Sequence, residues 1–531
     1  MQKNLKYNKY VHYGILIIIL VLQIVAIIYA VSKREYYHID ELYSYGLMQY
    51  DRAFIFDNED FYNTWHTSDY FKDYTRINEE NKWNFSAVYK NQIEDVHPPL
   101  YYLLLRIANT FNIGKFSIWP GTILNIIIFI FSSIILYLIS KHIFKNDYCA
   151  LLVCFISGFS PASIETVMYN RMYQLLILNI LILIYWHIKK IEVSQLDLKD
   201  LISLCIMVIL GFLTHYYYAI IAVILYIIYM FRYIKAKNIQ EAVKYTLTLF
   251  ASALISIIIF PYSINHIFFG YRGKEVLSSN NFNDAIYKLI ENLSIINKEF
   301  FNGYMLIILS IFIIALIIAL IKYLITKKEL KFDNNESIKY VVIPTILYIL
   351  ISAILSPYCD LRYMMPAIPI IFICIIYALF NIIKYILDTK ITFIIICILV
   401  VIFSITAIPT LSNNSYTYVN YKAIKNNIEK NNLKNKPCIA FYIDASAQYT
   451  KIMEAYQAFI TFDESYIMTK NVISSDNISK ALENKNISDG IVIIILYSQS
   501  KDIINSVINT GKFKDIYYQG RMYRFDVFWI K

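Results

Sequence analysis

Gly14–Val31 reads GILIIILVLQIVAIIYAV, and a few residues further on His38–Tyr45 reads HIDELYSY. The first stretch is apolar and without charge, long enough to cross a bilayer as a helix. The second sets two adjacent acids, Asp40 and Glu41, just beyond the end of that helix. Carboxylates at the edge of hydrocarbon are costly unless something polar uses them. The pair therefore asks what lies at that membrane boundary.

Working outward, the same apolar pattern recurs along a chain of 531 residues that is 58% hydrophobic and 17% charged. Ile123–Ile139 and Tyr304–Ile321 repeat it. In lipid every backbone amide must be satisfied inside its own segment, so these runs are helices. We count about eleven spans by this criterion: 12–31, 117–141, 148–165, 172–188, 199–214, 216–234, 244–264, 304–322, 338–355, 363–385 and 391–411. The fold class is an all-α polytopic membrane protein with a small α/β domain at its C-terminal end. The first run follows Lys3, Lys6 and Lys9 and is too long for a cleaved signal, so it reads as a signal anchor.

Orientation follows from the short connections. Lys141 and Lys145, Lys189 and Lys190, Arg232 and Lys235, Lys322 and Lys327, and Lys384 and Lys390 all fall on the side of the N-terminus. The positive-inside rule makes that side cytoplasmic. Residues 1–411 then form the transmembrane domain, with 32–116 its first outer loop, and 412–531 form an extracytoplasmic domain. Within the latter, Cys438–Ile443 and Gly490–Tyr497 read as buried strands. Ser446–Phe459 and Asp502–Thr510 read as helices, and Tyr517–Ile530 as a hairpin turning near Gln519-Gly520.

The formal net charge of +10 does not imply a nucleic-acid partner, because the basic residues are dispersed among short loops. No Gly-rich loop follows a strand, so no nucleotide site is indicated. The seven cysteines contain no CxxC, which argues against a zinc ribbon or a disulfide framework. Cys359 and Cys438 could pair if both face outward; otherwise they are two unrelated buried thiols.

Several polar groups converge on outward span ends. Asp40 can cap the helix that runs through Leu42–Gln49, and Glu41 favours its N-terminal dipole. A carboxylate held rigidly there is also suited to act as a base. His97 precedes Pro98-Pro99, which stiffen the chain and fix its direction. His38, His97 and His215, with Asp40 and Glu41, are candidate ligands for a divalent metal, although no local His-x-x-x-His spacing supports one. Arg171 and Arg362 are either anchors paired to Glu165 or Asp360, or a clamp for phosphate oxygens. Tyr216, in the run Tyr216-Tyr217-Tyr218, belongs to an interfacial aromatic belt or to a surface on which a sugar stacks.

These stretches resemble the GT-C superfamily of integral-membrane glycosyltransferases. The nearest branch holds the protein O-mannosyltransferases, the aminoarabinose transferases and the Rgt-like enzymes. The resemblance is carried by Asp40-Glu41, His97-Pro98-Pro99-Leu100-Tyr101-Tyr102, Asn170-Arg171-Met172-Tyr173, Thr214-His215-Tyr216-Tyr217 and Arg362-Tyr363-Met364-Met365-Pro366. It implies a sugar donor linked to polyprenyl phosphate and an acceptor that is a glycan, a lipid or a protein. It implies transfer with inversion on the outer face of the plasma membrane, with Asp40 as base and Glu41 in support. Arg171 and Arg362 would neutralise the donor phosphate. His97, Tyr102, Tyr173, His215, Tyr216 and Tyr363 would contact substrate. Where Asn170 stands, many relatives carry a small residue, which touches donor specificity rather than reaction class. Two other classes share parts of this pattern. A transporter or flippase of lipid-linked glycans would keep acids at mid-membrane and show internal repeats. A non-catalytic scaffold would have no need of Asp40.

Overall fold

A computed structural model of the chain describes residues 2–34, 36–49, 59–278, 282–327, 336–407, 421–442, 453–496, 500–523 and 525–531. In chain order the helices are α1 (Gln2–Ser32), α2 (Ile39–Gln49), α3 (Ser68–Asp73), α4 (Ser86–Glu94), α5 (Leu100–Asn109), α6 (Trp119–Phe144) and α7 (Asp147–Gly158). There follow α8 (Pro161–Met168), α9 (Tyr173–Lys189), α10 (Leu198–Thr214), α11 (Tyr218–Lys235), α12 (Ile239–Ile259), α13 (Tyr271–Ser278) and α14 (Phe282–Ile295). The set ends with α15 (Met305–Thr326), α16 (Lys339–Leu355), α17 (Leu361–Met364), α18 (Ile368–Ile386), α19 (Thr389–Ala407), α20 (Lys422–Lys430), α21 (Tyr456–Phe459), α22 (Ser475–Ala481) and α23 (Ser500–Ile508), besides short turns.

The chain divides into two compact units. The first comprises 1–33, 92–101 and 122–414, and the second 34–91, 102–121 and 415–531.

The first unit is a helical bundle. Among the described residues eight helices are long and apolar enough to cross a membrane, or nine when α7 and α8 count as one broken span. This is a multi-pass membrane protein. Each expected span overlaps a helix, but eight or nine pass this test where eleven were expected, because α9 and α10 have only 17 residues each; residues 408–411 of the last span lie outside the described residues, and the third span is not straight. α7 and α8 meet at 63°, because Pro161 cannot donate to the preceding turn and Ser160 caps the new helix instead. The residues Leu361–Ile386 are 83% buried in their most apolar window, against 11% for Met305–Thr326. A helix apolar on all sides belongs inside the bundle. α18 accordingly packs on α7, α15, α16 and α19. The turns at the ends of α8, α10, α12 and α16 hold the polar motifs.

The second unit is built on a six-stranded sheet of order β1-β3-β2-β4-β6-β5. Its strands are β1 (Trp65–Thr67), β2 (Cys438–Tyr442), β3 (Glu464–Thr469), β4 (Ile491–Leu496), β5 (Ile516–Met522) and β6 (Phe525–Ile530). β2 pairs in parallel with β3 and β4, while β1, β5 and β6 run antiparallel to their neighbours. Both faces are covered. Ala440, Ile467, Val492 and Ile494 pack on one side with Tyr456 and Phe459. Ile439, Phe441, Ile493 and Ile495 pack on the other with Ile478, Ile503 and Val507. Strands buried on both faces read as continuous apolar runs, which is why β2 and β4 are visible in the sequence.

One sequence expectation is corrected here and two others meet the structure. The hairpin turns between Met522 and Phe525; the β5–β6 register shifts between Tyr518 and Gly520, so Gln519 is the extra residue of a bulge and Gly520 follows it at φ 132°. Cys359 and Cys438 are both free thiols. The expected helix over 446–459 is described only from 453 onward, where Tyr456–Phe459 is helical; its start lies outside the described residues. β1 and β3 are strands that the sequence pattern does not announce.

Candidate functional site

In the second unit, α2 begins with an N-terminal cap made by His38, not by Asp40. The His38 Nδ1 accepts from the Asp40 N–H at 3.1 Å, and Glu41 reaches back to accept from the His38 N–H at 3.0 Å. This is the reciprocal arrangement of a capping box with histidine in the cap position. Glu41 also forms an ion pair with Arg34, both side chains about 1% exposed. Glu41 is therefore committed to holding the start of α2. Asp40, one position earlier, keeps 20% of its side chain exposed, with His38 Nδ1 at 3.9 Å from its carboxylate. Ser44 donates to the Asp40 carbonyl at 3.0 Å and tightens the first turn. Tyr102 is fully buried in the same unit.

The first unit gathers most of the other predicted residues around one cavity of about 320 Å³, lined by His97, His215, Tyr216, Tyr217, Tyr363 and Arg272 among others. His97 donates from Nδ1 to Asp95 at 2.7 Å, and Arg171 Nη2 stands 3.4 Å from His97 Nε2. Arg171 lies in the tight turn between α8 and α9, where its N–H donates to the Tyr169 carbonyl at 2.6 Å. The rings of Tyr173 and His215 lie 5.7 Å apart, those of His97 and His215 5.8 Å, and those of Tyr217 and Tyr363 5.5 Å. Arg362 pairs with Asp360 at 3.2 Å and donates to Tyr358 Oη at 2.6 Å.

Charge at this cavity has a definite pattern. Burial works to raise the Asp95 carboxyl, but His97, by charge and hydrogen bond, and then Arg171 hold it below the usual carboxylate range. His215, in the turn between α10 and α11, is kept well below the ordinary imidazole value by burial first, then by His97, Arg171 and Arg362. Asp95, His266 and Arg272 were not among the residues read as substrate contacts. Asp95 stands two positions before His97, and an acid at that offset from a Pro-stiffened histidine is the signal that would have found it. Among the described residues no group of three or more His, Cys, Asp or Glu side chains is arranged to hold a metal ion.

Residues 96–260 match the family of dolichyl-phosphate-mannose-protein mannosyltransferases. Among solved structures, ArnT from Cupriavidus metallidurans bound to undecaprenyl phosphate superposes with a TM-score of 0.53 at 9% identity, over 97% of this chain and 98% of that one. Its apo state gives 0.50 at 10% identity, over the same 97% and 98%. The oligosaccharyltransferase AglB from Archaeoglobus fulgidus, in complex with an inhibitory peptide and a dolichol-phosphate, gives 0.44 at 9% identity, over 98% and 74%. No curated protein matches in sequence. Part of the chain is thus similar to a family of membrane-bound glycosyltransferases. Over nearly its whole length the chain shares the fold of ArnT.

Proposed function

We propose that the protein transfers a sugar from a polyprenyl-phosphate donor to an acceptor hydroxyl, with inversion, on the outer face of the plasma membrane. The observation that carries this reading is the cavity in the bundle, lined by His97 and aromatic rings, with Arg171 3.4 Å from His97. Guanidinium and imidazole nitrogens suit phosphate oxygens, and tyrosine faces suit a sugar. The undecaprenyl phosphate held by ArnT, a protein of the same fold, supports a lipid phosphate as the anion.

Asp40 is the base in this reading. Its carboxylate takes the proton of the acceptor hydroxyl as the oxygen bonds to the anomeric carbon. The bond from that carbon to the phosphate oxygen breaks, and its electron pair leaves with the lipid phosphate. A base on one side of the sugar and the leaving group on the other gives inversion. The departing phosphate needs charge neutralisation rather than a proton, the role of Arg171 and Arg362. Glu41 supports Asp40 by fixing the start of α2. The N-terminus is then cytoplasmic and 412–531 extracytoplasmic.

Purified protein tests this with a polyprenyl-phosphate sugar. Asp40→Asn should reduce turnover by about 10³-fold, within the range for loss of a general base, while the protein stays folded in the membrane. Arg171→Ala should raise the donor KM. Near-normal transfer by Asp40→Asn removes the base from this scheme. Donor uptake across vesicles without any transfer would favour a flippase.

A further inference from the structure

Asp95 is absent from the motifs that carry the family resemblance, yet it makes a short hydrogen bond at the cavity. We infer that Asp95 is a positioning residue for the donor phosphate: it fixes the His97 ring so that Nε2 and the Arg171 guanidinium converge on one phosphate group. This rests on the donor reading above.

The geometry supplies the argument. The Asp95–His97 contact is 2.7 Å, with the two side chains 14% and 19% exposed. An ionised carboxylate at Nδ1 fixes the proton there and leaves Nε2 aimed at Arg171. At 3.4 Å the Arg171–His97 contact is a long hydrogen bond; once Nε2 also carries a proton, a phosphate oxygen can accept from both residues in its place. The segment bearing Asp95 is itself anchored. His266 Nε2 donates to the Ile93 carbonyl at 3.3 Å, and its Nδ1 accepts from Tyr216 Oη at 2.9 Å. Ile93, Asp95 and His97 are thus tied to the turn after α12, the turn after α8 and the turn after α10. An imidazole without its carboxylate would lose the preference for one ring orientation, and an oriented donor is what an anion site needs.

The test is binding of a short polyprenyl phosphate, without sugar, to the purified full-length protein, read by calorimetry alongside the donor KM and kcat. Asp95→Asn should weaken binding about tenfold, the size found when an orienting carboxylate is lost from a histidine, and raise KM more than it lowers kcat. Asp95→Glu, which keeps the charge but moves it, should lose about threefold. In a His97→Ala background, Asp95→Asn should add less than about a twofold effect, since the two act as one unit. Wild-type affinity in Asp95→Asn, or an undiminished effect once His97 is gone, overturns the positioning role and leaves the donor reading standing. If Asp95→Asn does not accumulate, unchanged affinity in Asp95→Glu is decisive in the same sense. If the wild-type protein binds no polyprenyl phosphate, the donor reading fails and this inference fails with it.

Discussion

Among single residues, Asp40 and Glu41 look alike in the sequence and have different settings in the fold. Adjacent acids at a helix start point about 100° apart, and here only one turns back to the cap. Glu41 does so and takes Arg34, seven residues earlier, as its partner. That pairing was not legible, because nothing in the sequence says which cation returns to which acid across a short turn. The pair is buried, so breaking it by removing one charge should cost about 3–5 kcal/mol. Glu41→Ala and Arg34→Ala should each lower the melting temperature clearly, and the double variant should be no worse than the poorer single one. Additive losses would deny the pairing. A second residue sets a pH dependence. His66 lies stacked at 4.6 Å on Phe61 and 4.5 Å from Tyr70. Burial pushes its imidazole below the ordinary value, against the pull of the Phe61 carbonyl. The unfolded chain then binds a proton near pH 6.5 that the folded chain refuses, so this contribution is complete above about pH 6.5 and lost as pH falls below it. Thermal melts between about pH 7 and pH 5 should show the decline, and His66→Phe should flatten part of it. An identical slope in that variant excludes His66 as the source.

At the level of elements, the spans were legible and their shapes were not. Apolarity over a bilayer's thickness identifies α1, α6, α15 and α19 directly, since nothing but a helix satisfies that backbone in lipid. The break between α7 and α8 was written in Ser160-Pro161 but hidden by apolar residues on both sides. Its cost is met from a distant helix. Gln23 in α1 donates to the Cys154 carbonyl at 3.0 Å and the Phe155 carbonyl at 3.3 Å, near the end of α7. A side chain at Gly158 would meet Gln23 at once, its Cβ 2.2 Å from Nε2. Gln23→Leu should therefore destabilise the bundle by about 1–3 kcal/mol, the net loss of two hydrogen bonds. Unfolding of the variant in detergent measures it. Stability equal to wild type would mean that the break needs no support from α1.

For the molecule as a whole, the sheet joins parts of the chain that the sequence keeps far apart. β1 comes from the segment that follows α1 and pairs with β3 near the C-terminal end, Trp65 opposite Tyr466 and Thr67 opposite Glu464. Phe71 stacks on Phe459 at 4.6 Å, and Thr75 bonds Tyr456 Oη at 2.7 Å. Three residues of strand are too short to give a periodic signal, which is why this unit read as a tail alone. Its core is shared, so neither part is complete without the other. A chain ending after residue 414 would leave Phe61, Phe71 and Tyr74, now buried, facing water, along with the unpaired edge of β1. Such exposure is an aggregation hazard and a target for proteolysis. The truncated protein should accumulate poorly in membranes, and limited proteolysis should cut within 59–91 at sites protected in the full chain. Supplying 415–531 as a separate polypeptide should restore part of that protection. Full accumulation of the truncated chain with unchanged protection would mean that 34–121 folds independently of the C-terminal strands.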